Sequence, residues 1–313
     1  MNIGFWSNAL CERGTTVSVY DYAYFNQTLL HNKSYIFYDK YALQTKKEVV
    51  EKFKREFIVH ATEEFSEVDE YIMKYNITHI YIIKAGVKDD KISKIAKNCI
   101  HCVFTCCEPH GYVYSAIARW VEGNEGKYPI VPHMIHLPHH DRNMRLELDI
   151  PENAIVFGGY GGRGNFSIPF AQVAVYNIAL RNAHIYFLFA NFDRFCDPLP
   201  NIIHLPTITD LEEKTRFINT TDAMLWARVD GEIMSIAMGE FSIMNKPIIC
   251  MNIGYPGHIF TLGDNALWYH DLEGLCKIIL NFNPEIERKK DWNSYKDYTP
   301  EYVMQIFKDV YLL

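Results

Sequence analysis

No stretch of the chain is apolar for long enough to span a bilayer; the longest, Ile168 to Leu180, is too short and too polar. The opening Met1-Asn2-Ile3-Gly4-Phe5-Trp6 has no basic region ahead of an apolar one, so no secretory leader is expected. An excess of positive charge is also missing. The 313 residues hold 31 Lys+Arg against 38 Asp+Glu, a formal net charge of -7. A nucleic-acid polymer needs a broad basic face, which this balance does not supply. A small phosphorylated ligand stays admissible, because a few local cations or a helix N-terminus are enough to hold one. Short internal repeats and low-complexity segments are absent as well. The expectation is a soluble, cytoplasmic protein.

What is present reads as an ordinary globular composition, 49% hydrophobic and 22% charged. The length suggests two domains or one large α/β domain. Eight cysteines occur, and without a secretory signal they are expected as reduced, partly buried thiols. The run Cys99, His101, Cys102, Cys106, Cys107 and His110 invites a zinc reading. Strand alternation, however, sends neighbouring side chains to opposite faces, and no metal site is expected there.

Short apolar runs alternate with amphipathic ones along the chain. Strands are expected at Asn2–Trp6, Ser34–Tyr38, Phe57–Ala61, Thr78–Lys84, Ile100–Thr105 and Ile130–Leu137. Helices are expected between them at Thr16–Leu30, Lys46–Lys54, Glu64–Tyr75, Asp89–Asn98 and Tyr112–Glu122. After a proline-containing polar stretch the alternation restarts. Strands Ala154–Phe157, His184–Ala190, Asn201–Leu205, Ala223–Trp226, Pro247–Cys250 and Ala266–Tyr269 flank helices near Ile168–Leu180, Asp210–Ile218, Ile233–Met244 and Asp271–Asn281. Strand and helix taking turns implies doubly wound parallel sheets. The expected division is an N-terminal domain over 1–140, a C-terminal domain over 141–299 and a last helix over 300–313 that packs back on the first. Two such sheets facing each other leave a cleft, and ligands bind at the carboxyl ends of parallel strands.

The segment Ala227-Arg-Val-Asp-Gly-Glu232 through Met244 is the most informative. From Ile233 to Asn245 its only charged residue is Glu240, on a helix whose apolar stripe is Met234, Ala237, Phe241 and Met244. A carboxylate in so apolar a helix needs a partner. Glu232 falls at the expected helix start, where the macrodipole favours negative charge. Eight helical residues separate the two carboxylates by roughly 12 Å. The free N–H groups of Ile233, Met234 and Ser235 would receive phosphate oxygens. Spacing alone leaves two readings open: a ligand with hydroxyls at both ends of a diphosphate, or an N-terminal charge plus one salt-bridged core glutamate.

Glu232-x7-Glu240, preceded by strand Ala223–Trp226 and followed by Asn-Lys-Pro-Ile-Ile-Cys250, resembles the retaining GT-B glycosyltransferases of the family-4 type. Those carry E-G-F-G-L-x-x-x-E-A-x-x-x-x-x-P-V-I there. The resemblance covers the last half of the chain by motif and the first half by architecture. It implies two facing Rossmann-like domains. It also implies transfer of a sugar, with retention of configuration, from a nucleoside-diphosphate sugar to a glycan or other hydroxyl acceptor. Glu232 would lie near the donor sugar hydroxyls and Glu240 would bind the ribose.

The same family carries a glycine loop with an arginine and, five residues on, a lysine for the diphosphate. Here Gly161, Gly162 and Arg163 match, while Ile168 replaces the lysine. Arg228 is the candidate for the missing charge, the alternative being a solvated or salt-bridged arginine. Gly159-x-Gly161-x-x-Gly164 also satisfies the dinucleotide fingerprint, which keeps an NAD(P)-dependent oxidoreductase as an alternative. The acidic residue that fingerprint expects about twenty positions on is missing before Asp193. Ile168 also motivates a third reading, a non-catalytic nucleotide-sugar binding protein.

In the first half, Cys11-Glu-Arg-Gly14-Thr15-Thr16 resembles the family's first glycine-containing loop, although a threonine there also serves as a plain N-cap. His110 follows a strand and precedes an expected helix, where family members often place a histidine near the donor sugar. His101, inside the strand, is expected in the core. No Asp-x-Asp occurs, so neither a metal nor any cofactor beyond the donor substrate is expected.

Overall fold

A computed structural model describes all residues, Met1–Leu313, and divides them into two compact units, Met1–Met134 with Asp297–Leu313, and Ile135–Lys296. The expected boundaries at 140 and 300 therefore stand a few residues late.

The first unit runs β1 (Asn2–Ser7), α1 (Gly14–Thr28), β2 (Lys33–Asp39), α2 (Lys47–Glu56), β3 (Ile58–Thr62), α3 (Val68–Tyr75), β4 (His79–Lys84), β5 (Lys97–Cys102) and β6 (Val113–Ala116). All pairings are parallel, in the order β3-β2-β1-β4-β5-β6. The central strands β1 and β4 are buried almost end to end, the mark of a strand covered on both faces. In α2 the apolar face Val49, Val50 and Phe53 is buried and the charges lie outside.

The second unit runs β7 (Ile155–Tyr160), α4 (Pro169–Arg181), β8 (Ile185–Ala190), β9 (Ile202–Leu205), α5 (Leu211–Thr220), β10 (Ala223–Leu225), β11 (Gly231–Glu232), α6 (Ile236–Ile243), β12 (Ile248–Met251), β13 (Tyr255–Pro256), α7 (Gly257–Leu262), β14 (Leu267–Tyr269), α8 (Leu272–Leu280) and α9 (Pro284–Glu287). Six strands form a parallel sheet in the order β14-β12-β10-β7-β8-β9, and β11 pairs with β13 apart from it. Side-chain caps fix several helix starts: Asp210 accepts from the Glu213 N–H at 3.0 Å and Asp271 from the Gly274 N–H at 2.7 Å. Below β10, the buried Asp222 carboxylate accepts from Arg145 at 3.0 Å, Arg288 at 2.8 Å and the Val156 N–H at 2.9 Å. One carboxylate thus ties the entry segment, the sheet and the exit helix together.

The chain then returns to the first unit as α10 (Pro300–Phe307), which continues into a π-helical turn over Lys308–Leu312. Phe307 stacks on Tyr22 at 5.2 Å and on Phe5 at 6.3 Å. Tyr311 meets the Tyr81 ring at 5.6 Å and hydrogen-bonds Ser115.

The two doubly wound α/β units are those the alternation predicts. Four local expectations fail in the first half. The strand expected at Ile100–Thr105 lies at Lys97–Cys102. No helix forms over Asp89–Asn98, because the Asn98 side chain closes the segment onto the Ser93 main chain, accepting at 2.8 Å and donating at 2.8 Å. The expected helix Tyr112–Glu122 is instead strand β6, a β-branched and aromatic stretch paired to β5. Ile130–Leu137 is not a strand beyond one bridge, Ala116 to Ile130. Pro132 removes a ladder donor inside that segment, and Pro129 and Pro138 flank it. All eight cysteines are free thiols, His101 is fully buried, and no helix is long and apolar enough to cross a membrane.

Candidate functional site

At the carboxyl end of the second unit's sheet, the loop after β7 is laced to the loop after β10. The N–H groups of Ser167 and Ile168 donate to the Ala227 carbonyl at 2.7 and 3.0 Å, and the Val229 N–H donates to Ser167 Oγ at 3.1 Å. Arg228 leaves this junction half-buried, its guanidinium 3.0 Å from Glu232 Oε1 and 3.5 Å from Asp230 Oδ2. The spacing candidates Arg228 and Glu232 are therefore brought into direct contact.

Glu232 does not open a helix. It lies in β11, and α6 begins only at Ile236, capped by Ser235 Oγ accepting from the Met238 N–H at 3.3 Å. Ser235, a strong N-cap type, wins the helix start, while Gly231 and Glu232 are drawn into pairing with Tyr255 and Pro256. The expected phosphate cradle of Ile233, Met234 and Ser235 N–H groups is accordingly not formed. The uncommitted first-turn groups belong to Ile236 and Ala237. The macrodipole account of Glu232 and its helical spacing from Glu240 fall with it. α6 is buried all round over Met238–Ser242, and of the expected stripe Met234, Ala237, Phe241 and Met244 only Phe241 is fully buried.

Two glycines make the β11–β13 crossing possible. Gly231 has φ +67° and Gly254 φ +75°, and a Cβ at either would stand 2.4 Å or less from a main-chain atom of the other strand's segment. His258, 2% exposed, locks the junction. Its Nε2 lies 2.9 Å from the Met251 carbonyl oxygen, and its Nδ1 takes the Glu232 N–H at 3.3 Å. Nδ1 also lies 3.1 Å from the Tyr255 carbonyl oxygen, so the ring touches three main-chain groups. Burial pushes the Glu232 carboxyl up to about 7, outweighing the opposing pull of Arg228, with Asp230 adding to the rise. Glu232 is thus a carboxyl that changes charge near neutral pH, held by its main chain and by one arginine.

Glu240 is a different case. Its Oε1 is 2.7 Å from Lys214 Nζ, its Oε2 accepts from Tyr160 OH, and it is 3% exposed. Lys214 also sits over the Tyr160 ring at 5.6 Å. Both oxygens are thus committed within the protein, one to an ion pair and one to a hydroxyl.

The glycine loop divides likewise. Gly158 and Gly159 lie in β7 and serve packing: a Cβ on Gly159 would stand 2.8 Å from the Leu225 carbonyl oxygen. Gly161 packs against Trp226, Phe192 and Asn165, and its carbonyl accepts from Asn191 at 2.6 Å. Gly162, Arg163 and Gly164 are exposed, with Gly162 leading into a short 3-10 turn, Arg163–Asn165. Ile168, standing where a lysine was expected, is 4% exposed and precedes α4. It belongs to the core. Asn191, not an acid, follows β8, which leaves the dinucleotide fingerprint without its ribose partner.

Gly14, Thr15 and His110 belong to the first unit. α1 starts at Gly14 after Arg13, with no side-chain cap, so neither Thr15 nor Thr16 is the N-cap. Thr16 instead donates to the Ala9 carbonyl at 3.0 Å. His110 is half-buried in the β5–β6 loop, not ahead of a helix, and contacts Lys84 at the end of β4 at 3.2 Å. Burial lowers its proton affinity, and Lys84 adds to the effect.

Three contributors escape a reading of the sequence. Lys214 leaves a signal, since it occupies the buried face of α5 beside Phe217 and Ile218. Lys84 leaves one too, ending an otherwise apolar strand. His258 follows Tyr-Pro-Gly in the first turn of α7 and leaves none.

No protein-family model matches the sequence, and no curated protein matches it. Solved structures do share its architecture. HepE from Anabaena, in complex with UDP-glucose, aligns with TM-score 0.71 at 11% identity, over 99% of this chain and 98% of that one. A glycosyltransferase from Rickettsia africae ESF-5 aligns with TM-score 0.69 at 14% identity over the same shares. Sucrose-phosphate synthase from Thermosynechococcus elongatus aligns with TM-score 0.61 at 13% identity, over 98% and 95%. The chain has the two-unit, Rossmann-like fold of the GT-B glycosyltransferases.

Proposed function

We propose that this protein transfers a sugar from a nucleoside-diphosphate sugar to a hydroxyl acceptor, with retention of configuration and without a metal ion. The observation that carries the reading is the Arg228–Glu232 pair, its main chain pinned by His258, beside the exposed Gly162-Arg163-Gly164 loop, on the fold that holds UDP-glucose in HepE. Arg163 and Arg228 are the cations for a departing diphosphate, whose developing charge is what the site has to stabilise. Glu232, titrating near neutral pH, is the group for the donor sugar hydroxyls. His110, with Gly14 and Thr15, is assigned to the sugar and acceptor side. The departing phosphate accepts the acceptor's proton, so no protein base is assigned. Glu240 is read as an anchor for Tyr160 and α5, with no ribose contact.

The test is calorimetry and turnover with UDP-, GDP- and ADP-sugars, with NAD as a control, in EDTA. Binding of one nucleotide sugar, with release of its nucleotide in the presence of glycan acceptors and the product anomer matching the donor's, supports the reading. Heat from NAD alone overturns it in favour of the oxidoreductase. Binding without turnover on any acceptor favours the non-catalytic binder that Ile168 suggested. Turnover that stops in EDTA and returns with magnesium removes the metal-free mechanism.

A further inference from the structure

Lys84 places a charge at the carboxyl end of β4 that the donor reading does not use. Its side chain is only 5% exposed, and Nζ lies 2.5 Å from Asp89 Oδ1 and 3.2 Å from His110 Nε2. On the far side of the ring, His110 Nδ1 stands 2.6 Å from the main-chain oxygen of Glu108. A carbonyl oxygen only accepts and a protonated lysine only donates. The two contacts together therefore fix the imidazole, with its proton on Nδ1 and its Nε2 lone pair filled by Lys84. We propose that Lys84 is a positioning residue that holds His110 as a neutral, doubly anchored ring, so that His110 serves the site by its place and not by carrying a proton.

The placement in a sugar-transfer site rests on the proposed function; the anchoring of the ring does not. The groups facing His110 come from three elements. Lys84 approaches from β4, and Lys88 and Asp89 from the loop after it. Tyr114 of β6 lies with its ring 5.3 Å away, its hydroxyl spent on the Gly86 carbonyl at 2.6 Å. Burial, Lys84 and Lys88 oppose a second proton on the ring, while the Glu108 carbonyl and Asp89 favour one. A proton arriving at Nε2 also has to displace the Lys84 hydrogen bond. An imidazole held in this way offers a substrate a ring face and edge but no lone pair. That separates it from a general acid or base, whose nitrogen must be open to the reacting group.

The experiment uses the full chain labelled with [15N]histidine, His110 assigned from the spectrum of His110→Gln, and long-range proton–nitrogen correlations from pH 5 to 9. Wild type is expected to show a neutral ring protonated on Nδ1 at and above the ordinary histidine midpoint. Lys84→Met, which keeps the stem and loses the donor, is expected to raise the His110 midpoint by about half a pH unit, a threefold change in proton affinity. Asp89→Asn is expected to lower it. A wild-type ring protonated on Nε2, or a Lys84→Met titration identical to wild type, overturns the proposal. Should Lys84→Met fail to fold, Asp89→Asn decides, and an unmoved midpoint there overturns it. With a nucleotide sugar that turns over, kcat is expected to be flat through the His110 midpoint. A limb at that pH that vanishes in His110→Gln also overturns the proposal. Failure of every nucleotide sugar to bind or react counts against the proposed function alone, since the ring's tautomer and midpoint are read without substrate.

Discussion

Glu232 and Glu240 are the same residue type eight positions apart, both buried, with opposite electrostatic solutions. Glu240 has a partner on each oxygen, whereas Glu232 leans on one half-buried arginine and stays close to its neutral form. Lys214→Met is expected to cost about 3–5 kcal/mol, because it strands a buried carboxylate. Lys214→Met with Glu240→Gln should recover much of that loss, both read by urea denaturation. If Glu240 is an anchor, Glu240→Gln lowers stability while donor affinity by calorimetry moves less than about twofold. Glu232 makes the opposite kind of prediction. Its carboxyl is raised in the folded state, so its stabilising contribution is complete below about pH 4.5 and is lost as pH rises through about 7. Denaturation between pH 5 and 8 should show that decline, on the order of 3 kcal/mol at most, and Glu232→Gln should flatten it. The sequence displayed both glutamates plainly. What it hid was which of the two would be paired on both oxygens, because the Glu240 partners, Lys214 and Tyr160, come from α5 and β7.

Secondary structure in the second unit was legible almost throughout, since each strand there is a short apolar run and most helices start at a side-chain cap or a proline. The first unit's β4–β6 region was not. Periodicity over Tyr112–Glu122 suited a helix, but Gly111, at φ +85°, turns the chain so tightly that a Cβ there would stand 2.6 Å from Ile100. That contact lays Val113–Ala116 beside β5 and tertiary pairing overrides local pattern. The start of α6 slipped for a related reason: pairing of Gly231 and Glu232 with Tyr255 and Pro256 is long-range and invisible to a local window. Two glycines test the point. Gly231→Ala is expected to disrupt the β11–β13 crossing, where a Cβ meets the Ile253 carbonyl oxygen at 2.4 Å, and to weaken donor binding with it. Gly263→Ala, at φ +52° but in open space, should cost about 1–3 kcal/mol from backbone strain alone and leave binding intact. Thermal melts and donor calorimetry on the two variants check both.

At the scale of the molecule, the alternating pattern gave two α/β units, and the fold agrees with structures of negligible sequence likeness. Sequence alone did not show how firmly the last segment is built into the first unit. Phe307 is fully buried among Phe5, Tyr22, Tyr81 and Tyr311. Phe307→Ala is expected to cost about 3–5 kcal/mol. Hydrogen exchange should register the loss at β1 and β4 and leave β7 and β10 protected as before.

The return of residues 297–313 to the first unit also sets an order of events during synthesis. The ribosome finishes every residue of the second unit before it makes α10, so the second unit can close while the first still lacks a wall of its core. At roughly 5–20 residues per second, translating the intervening stretch takes on the order of ten seconds or more. For that interval the surfaces of Phe5, Tyr22 and Tyr81 that Phe307 covers stand open to water, to chaperones and to neighbouring nascent chains.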